Sequence, residues 1–208
     1  MTDLNALYAD LTSYITELDV KFIDRFLPAN PATPPSDYEH DVRAYCVLCH
    51  AAFEDFIEKV AVDVVSYAVS QWTVARKMND VIPALLVWRG AKMIIDDNEK
   101  APEKKPFDYL RPLIDEAKAA FSRHVFNNHG VSVLYLRSLL LPVAIEIKPD
   151  ANLLNSLEKL VEGRGSYAHK GKVKTVLAPE DAKRYVKDVL AICEDVKDKA
   201  LNSIAQLT

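Results

Sequence analysis

The stretch SDYEHDVRAYCVLCHAAFEDFIEKVAVDVVSY, residues Ser36 to Tyr67, decides the fold class. Ser36-Asp37-Tyr38-Glu39 has the pattern of a capping box: the Ser36 oxygen accepts a free backbone N–H and Glu39 reaches back to the cap. Beyond it, Val42, Tyr45, Cys46, Cys49, Phe53, Phe56, Ile57, Val60, Val64 and Tyr67 recur at three- and four-residue steps. That spacing predicts one helix with an apolar face sustained for about seven turns. A helix of that length spans a domain and serves as its central packing partner.

The flanking sequence continues the helical reading. Upstream, Leu4, Leu7, Leu11, Tyr14, Leu18, Phe22 and Phe26 form one stripe of a first helix. It is expected to start at Thr2 or Asp3 and to stop at Pro28. Four prolines between Pro28 and Pro35 make that segment a loop. Downstream, Asp80 caps a shorter helix, with Pro83 in its first turn, ending before Asp96. Asp96 to Pro106 reads as a charged surface loop.

A helix from Phe107 to about Phe126 follows. Asn127-Asn128-His129-Gly130 stops it, because Asn and Gly tolerate the left-handed conformation. Ser132 to Leu141 is a short helix ended by Pro142. Asp150 caps the next, with Leu153, Leu154, Leu157, Leu160 and Val161 inward. Gly163 and Gly165 are expected to interrupt it, each costing roughly 1 kcal/mol against alanine. Pro179-Glu180-Asp181 opens a final helix whose buried stripe holds Val186, Val189, Leu190, Cys193, Val196 and Ile204. Val173 to Leu177 alternates only briefly. The expectation is an all-α fold: one compact bundle of about six to eight helices in a single domain, residues 1–208. Residues 1–35 supply the first helix and the proline-rich loop, and residues 36–208 the core.

Composition narrows the function. With 208 residues and 50% hydrophobic content, the chain can bury one sizeable core. A net charge of -4, from 30 acids against 26 bases, argues against a general polyanion binder and confines any nucleic-acid contact to a local patch. The acidic N-terminus lacks the basic region of a signal peptide, and the longest apolar run, Val131 to Ile147, is broken by Arg137, Pro142 and Glu146. A soluble cytoplasmic protein without membrane contact is expected. Three cysteines do not make a disulfide scaffold.

Cys46-Val47-Leu48-Cys49-His50 has the spacing of covalent haem attachment, but both cysteines fall on the apolar stripe of the long helix and read as small buried side chains. No Cys/His/Asp spacing suggests a metal site, and no cofactor is expected.

The chemistry-bearing candidate is Arg164-Gly165-Ser166-Tyr167-Ala168-His169-Lys170-Gly171. A permanent cation beside a group that titrates near neutrality can cleave a phosphodiester without metal. An Arg and a His separated by four to six residues is not a rare pattern. Chance predicts about 0.6 such pairs in this composition, and the chain holds three: Arg43 with His50, Arg123 with His129, and Arg164 with His169. Context separates them. The first pair flanks the core stripe of the long helix, and the second straddles a helix end, where the dipole accounts for both cations.

Around the third, glycines on both sides of Arg164 are expected to bend the backbone and bring two side chains, otherwise about 140° apart on a helix, to one surface. Gly163 to Pro179 also carries Arg164, Lys170, Lys172 and Lys174 without an acid. That is a local positive patch suited to phosphates; a solvated basic loop with a capping histidine has the same composition.

Set before a final helix, this segment resembles the Arg-x4–6-His signature of HEPN-domain proteins. The upstream Cys49-His50-Ala51-Ala52-Phe53-Glu54-Asp55-Phe56-Ile57 resembles the long helix that often carries an acidic residue in that superfamily. Asn128 through Gly130, Tyr135, Arg137 and Ser138 to Leu141 is similar to the subgroup named RiboL-PSP. The resemblance covers roughly Asp37 to the end of the chain. One departure is Gly165, where the family often has a polar residue after the arginine.

The resemblance implies a metal-independent endoribonuclease, often a toxin or antiviral effector. It also implies a homodimer with a composite active site and an antitoxin or other regulatory protein as partner. Arg164 would hold the scissile phosphate. His169 would act as base on the ribose 2′-OH or as acid to the leaving oxygen. Ser166 and Tyr167 would contact phosphate or base, Tyr167 being equally suited to packing. Lys170, Lys172 and Lys174 would bind flanking RNA phosphates. Glu54 would orient Arg164 or form a surface ion pair. Some HEPN proteins are non-catalytic, so a silent helical module for dimerisation or partner docking is the alternative.

Overall fold

The computed structural model describes residues 2–30, 32–92, 106–127, 130–147, 150–170 and 177–207, and within 163–170 the backbone alone. Seven α-helices account for most of it: α1 (Leu4–Phe22), α2 (Glu39–Ala75), α3 (Val81–Arg89), α4 (Pro106–Asn127), α5 (Val133–Leu140), α6 (Ala151–Lys170) and α7 (Pro179–Ala205). Three 3₁₀ turns join them, at Asp24–Phe26, Pro35–Asp37 and Leu141–Val143. Among the described residues there is no strand. The all-α expectation holds.

α2 is the axis of the bundle. Its 37 residues run roughly 55 Å at 1.5 Å per residue. α1, α4, α6 and α7 pack along it, with α3 and α5 closing the remaining sides. The apolar stripe read from the sequence is the buried one: Val42, Tyr45, Cys46, Cys49, Phe53, Phe56, Ile57, Val60 and Val64 all lie in the core. Burial continues through Ala68, Val69 and Trp72 to the last turn, where Arg76 takes a left-handed cap at φ 58°. Long helices with one dry face gain most of their stability from such packing rather than from propensity.

Polar contacts fix the register of the neighbours. The Tyr45 hydroxyl donates to Asp19 on α1 at 2.5 Å. Lys183 on α7 reaches Asp24 at 2.6 Å and Asp19 at 3.3 Å. Ser156 on α6 donates to Asp188 on α7 at 2.5 Å. Each of these bonds joins two different elements through specific side chains, so each discriminates the observed packing from a slipped one.

Several ends differ from the sequence reading. Ser36 does not cap α2. It sits inside the Pro35–Asp37 turn and its hydroxyl donates to Asp37, while Glu39 pairs forward with Arg43 at 2.9 Å. The prolines set this 3₁₀ turn, and the turn consumes the residues that a capping box needs. At α3 the carboxamide of Asn79, not the side chain of Asp80, accepts the Val81 N–H at 3.1 Å. α1 ends at Phe22, four residues short of Phe26, which belongs to the next turn. Asp3, Ser132 and Asp150 do cap their helices with side-chain oxygens. The loop expected over Asp96 to Pro106 lies outside the described residues except for Pro106, which opens α4.

Candidate functional site

One face of α2 carries three acid–base side chains a turn apart: His50, Glu54 and Glu58. His50 is 1% exposed, and its Nδ1 lies 3.7 Å from Glu54 Oε2. The Glu54 side chain is itself mostly buried. Glu58 accepts the Tyr135 hydroxyl of α5 at 2.7 Å. Burial first, then the bond to Glu58 and the charges of Glu58 and Glu54, push the Tyr135 phenol well above its ordinary range. Tyr135 is therefore a permanent donor to a carboxylate, and the contact locks α5 onto α2.

α5 carries the polar line one step further. Ser138, three residues after Tyr135, donates to the Tyr135 carbonyl at 2.8 Å. Its oxygen also lies 3.2 Å from His124 Nε2 on α4. With the Ser138 hydrogen given to Tyr135, Nε2 must supply the proton of the second bond. This serine is thus held as an acceptor and not activated as a nucleophile. The result is a group of polar contacts on three helices: His50 beside Glu54 on α2, Tyr135 of α5 on Glu58, and Ser138 of α5 beside His124 of α4.

Sequence reasoning singled out Glu54 but missed its neighbours. His50, expected to flank the core stripe, is inside the core, and Arg43, partly buried, is tied to Glu39. Glu58 repeats the spacing of Glu54 by one turn, and that repeat was the available signal.

The predicted Arg–His segment falls on the last turns of α6. The break expected at Gly163 and Gly165 does not occur: α6 continues without interruption to Lys170. Packing of α6 along α2 and α7 outweighs the modest helix penalty of two glycines, roughly 2 kcal/mol together. Positions 164 and 169 consequently stand about 140° apart around the helix axis and ~7.5 Å apart along it. A bend that turns both onto one surface of a single copy is not present.

The side chains of Arg164, Ser166, Tyr167, His169 and Lys170, and all of Lys172 and Lys174, lie outside the described residues. His129 of the competing pair does so too, while Arg123 is exposed on α4.

The cysteine motif resolves as expected for packing. Cys46, Cys49 and Cys193 are free and completely buried. Burial pushes the Cys46 thiol up to about 12 and raises Cys49 and Cys193 further. Such thiols are poor nucleophiles and poor ligands at neutral pH. Among the described residues no group of three His, Cys, Asp or Glu side chains is arranged to hold a metal. No helix among them is long and apolar enough to cross a membrane.

Comparison with known proteins gives one family. The model of the family described as RiboL-PSP-HEPN matches residues 7–202. Neither a curated protein nor a solved structure matches the chain.

Proposed function

Because the chain belongs to the RiboL-PSP-HEPN family over nearly its full length, we propose that it is a metal-independent endoribonuclease. The observation that carries this reading is the Arg164-x4-His169 motif on α6, a helix packed against the α2 that bears Glu54. The guanidinium of Arg164 would hold the scissile phosphate in a forked contact and offset charge growing on its oxygens. The imidazole of His169 would take the proton of the ribose 2′-OH as that oxygen attacks phosphorus, or return a proton to the departing 5′-oxygen. The P–O5′ bond breaks as the 2′-O–P bond forms, leaving a 2′,3′-cyclic phosphate and a 5′-OH end. Glu54 would orient Arg164, and Lys170, Lys172 and Lys174 would hold flanking phosphates. Ser166 and Tyr167 would contact the strand.

The unbroken α6 favours a site shared between two copies. With the two positions on different sides of one helix, a guanidinium from one copy meets an imidazole from its twofold mate more readily than its own. A homodimer with a composite cleft follows. The expected setting is cytoplasmic: a toxin or defence effector, restrained by an antitoxin or another regulatory protein.

A second reading is favoured by Gly165. The polar side chain common after the arginine is missing here, which fits a silent module that dimerises or docks a partner.

End-group analysis separates the two. Single-stranded RNA incubated with the protein in EDTA should yield 2′,3′-cyclic phosphate and 5′-OH termini, and the matching DNA should remain intact. RNA left whole by a stable dimer would favour the docking module.

A further inference from the structure

Away from the α6 motif, α3 and α4 enclose a broad, open cleft of about 580 Å³ lined by Trp88, Arg89, Ala120, Arg123, His124 and Asn127. Its lining includes two arginines and a histidine but no carboxylate. Arg89 is engaged with Glu116 at 2.7 Å. Arg123 is exposed, and among the described residues no carboxylate pairs with it. In a protein of net charge -4, an acid-free lining of this kind is a local attractor for anions.

The same cleft is aromatic. Trp88 is half-buried and edge-on to two rings, Phe121 at 5.7 Å and His124 at 5.5 Å. His124 is in turn held by Ser138 at 3.2 Å. An indole clamped this way has little rotamer freedom left to lose when a flat ligand stacks on it. Phe126 stands one turn beyond Arg123 on the same side of α4 and is 79% exposed, a large apolar surface open to solvent among the described residues. Guanidinium groups suit phosphates, and aromatic rings suit unstacked bases; together they describe a single-stranded nucleic acid. A small anion would use the guanidinium half of the surface and leave the rings idle.

We propose that this α3–α4 cleft is a second contact for the RNA strand, gripping phosphate with Arg123 and stacking a base on Trp88. The proposal rests on the ribonuclease reading for the identity of the strand. The Tyr135–Ser138 segment of α5 joins the cleft to the carboxylate row of α2. Substrate choice would then depend on unpaired bases in the strand.

The test is fluorescence anisotropy of a fluorescein-labelled, uridine-rich 12-nucleotide RNA in EDTA. His169→Ala is the parent, so that the strand stays whole, and titrations are made at several salt concentrations. Adding Arg123→Glu should weaken binding about 10-fold and lower the salt slope by roughly one unit, the signature of one lost phosphate contact. Trp88→Leu, which keeps an apolar filler, should weaken binding by a comparable factor while changing the salt slope little. Melting curves establish that each variant is folded. RNA bound equally well by the parent and by both folded variants would overturn the cleft while leaving the ribonuclease reading intact. No binding by any form, together with no cleavage by the unsubstituted protein, would remove both.

Discussion

The Tyr135 hydroxyl donates to Glu58 Oε1 at 2.7 Å, and this single bond fixes α5 to the central helix beside the carboxylate of Glu54. A hydrogen bond to a charged acceptor in a half-buried position contributes about 1.5 kcal/mol. Tyr135→Phe removes the donor and leaves Glu58 without it. The expected result is a loss of stability of that size in urea unfolding, with an unchanged m-value. An undiminished midpoint would show that the contact does not hold α5.

Core geometry makes a larger prediction. Phe53 is fully buried on α2, in the middle of the axis that five or more elements share. Phe53→Ala opens a cavity that rigid helices cannot close, and should cost roughly 3–5 kcal/mol. Val47, which is 38% exposed on the same helix, should tolerate alanine with a change below about 0.5 kcal/mol. Paired denaturation curves check both.

Buried acids with raised pKa values set the response to alkali. Tyr45, Cys46, Cys49 and Cys193 all hold their protons more tightly folded than unfolded, with burial the first cause in each. Their stabilisation is complete below the unfolded thiol and phenol values, about 8.5 and 10. It falls as pH rises above them, by about 1.4 kcal/mol per pH unit for each group, and for Cys46 the fall continues to about 12. Stability should therefore be flat from pH 6 to 8 and drop steeply above pH 9. A thiol reagent at pH 8 should modify none of the three cysteines until denaturant is added. Rapid labelling of the native protein would contradict the buried assignment.

Much of the fold was legible because it rests on period and burial. Ten apolar positions from Val42 to Tyr67 define the face of α2. Asp3, Ser132 and Asp150 mark their helix starts by a local interaction that the sequence states directly. Errors arose where two local preferences compete. Ser36 has cap chemistry, but the adjoining prolines impose a turn. Gly163 and Gly165 weaken a helix, but the packing of α6 on α2 and α7, which no local window contains, overrides them.

The same reason hid part of these polar contacts. Glu58 meets Tyr135 across 77 positions, and no window along the chain contains both. One residue shifts a helical position by 100°, and the packing of six helices around α2 places His50 inside.

The account turns on Arg164 and His169, and RNA cleavage in EDTA tests them most directly. The protein should cut single-stranded RNA without added metal. Arg164→Ala and His169→Ala should each lower the rate by about 10²–10⁴-fold, while His129→Ala should cut like the unsubstituted protein. Cleavage that survives both substitutions at full rate, or that appears only with a divalent ion, would contradict the proposed site and its chemistry.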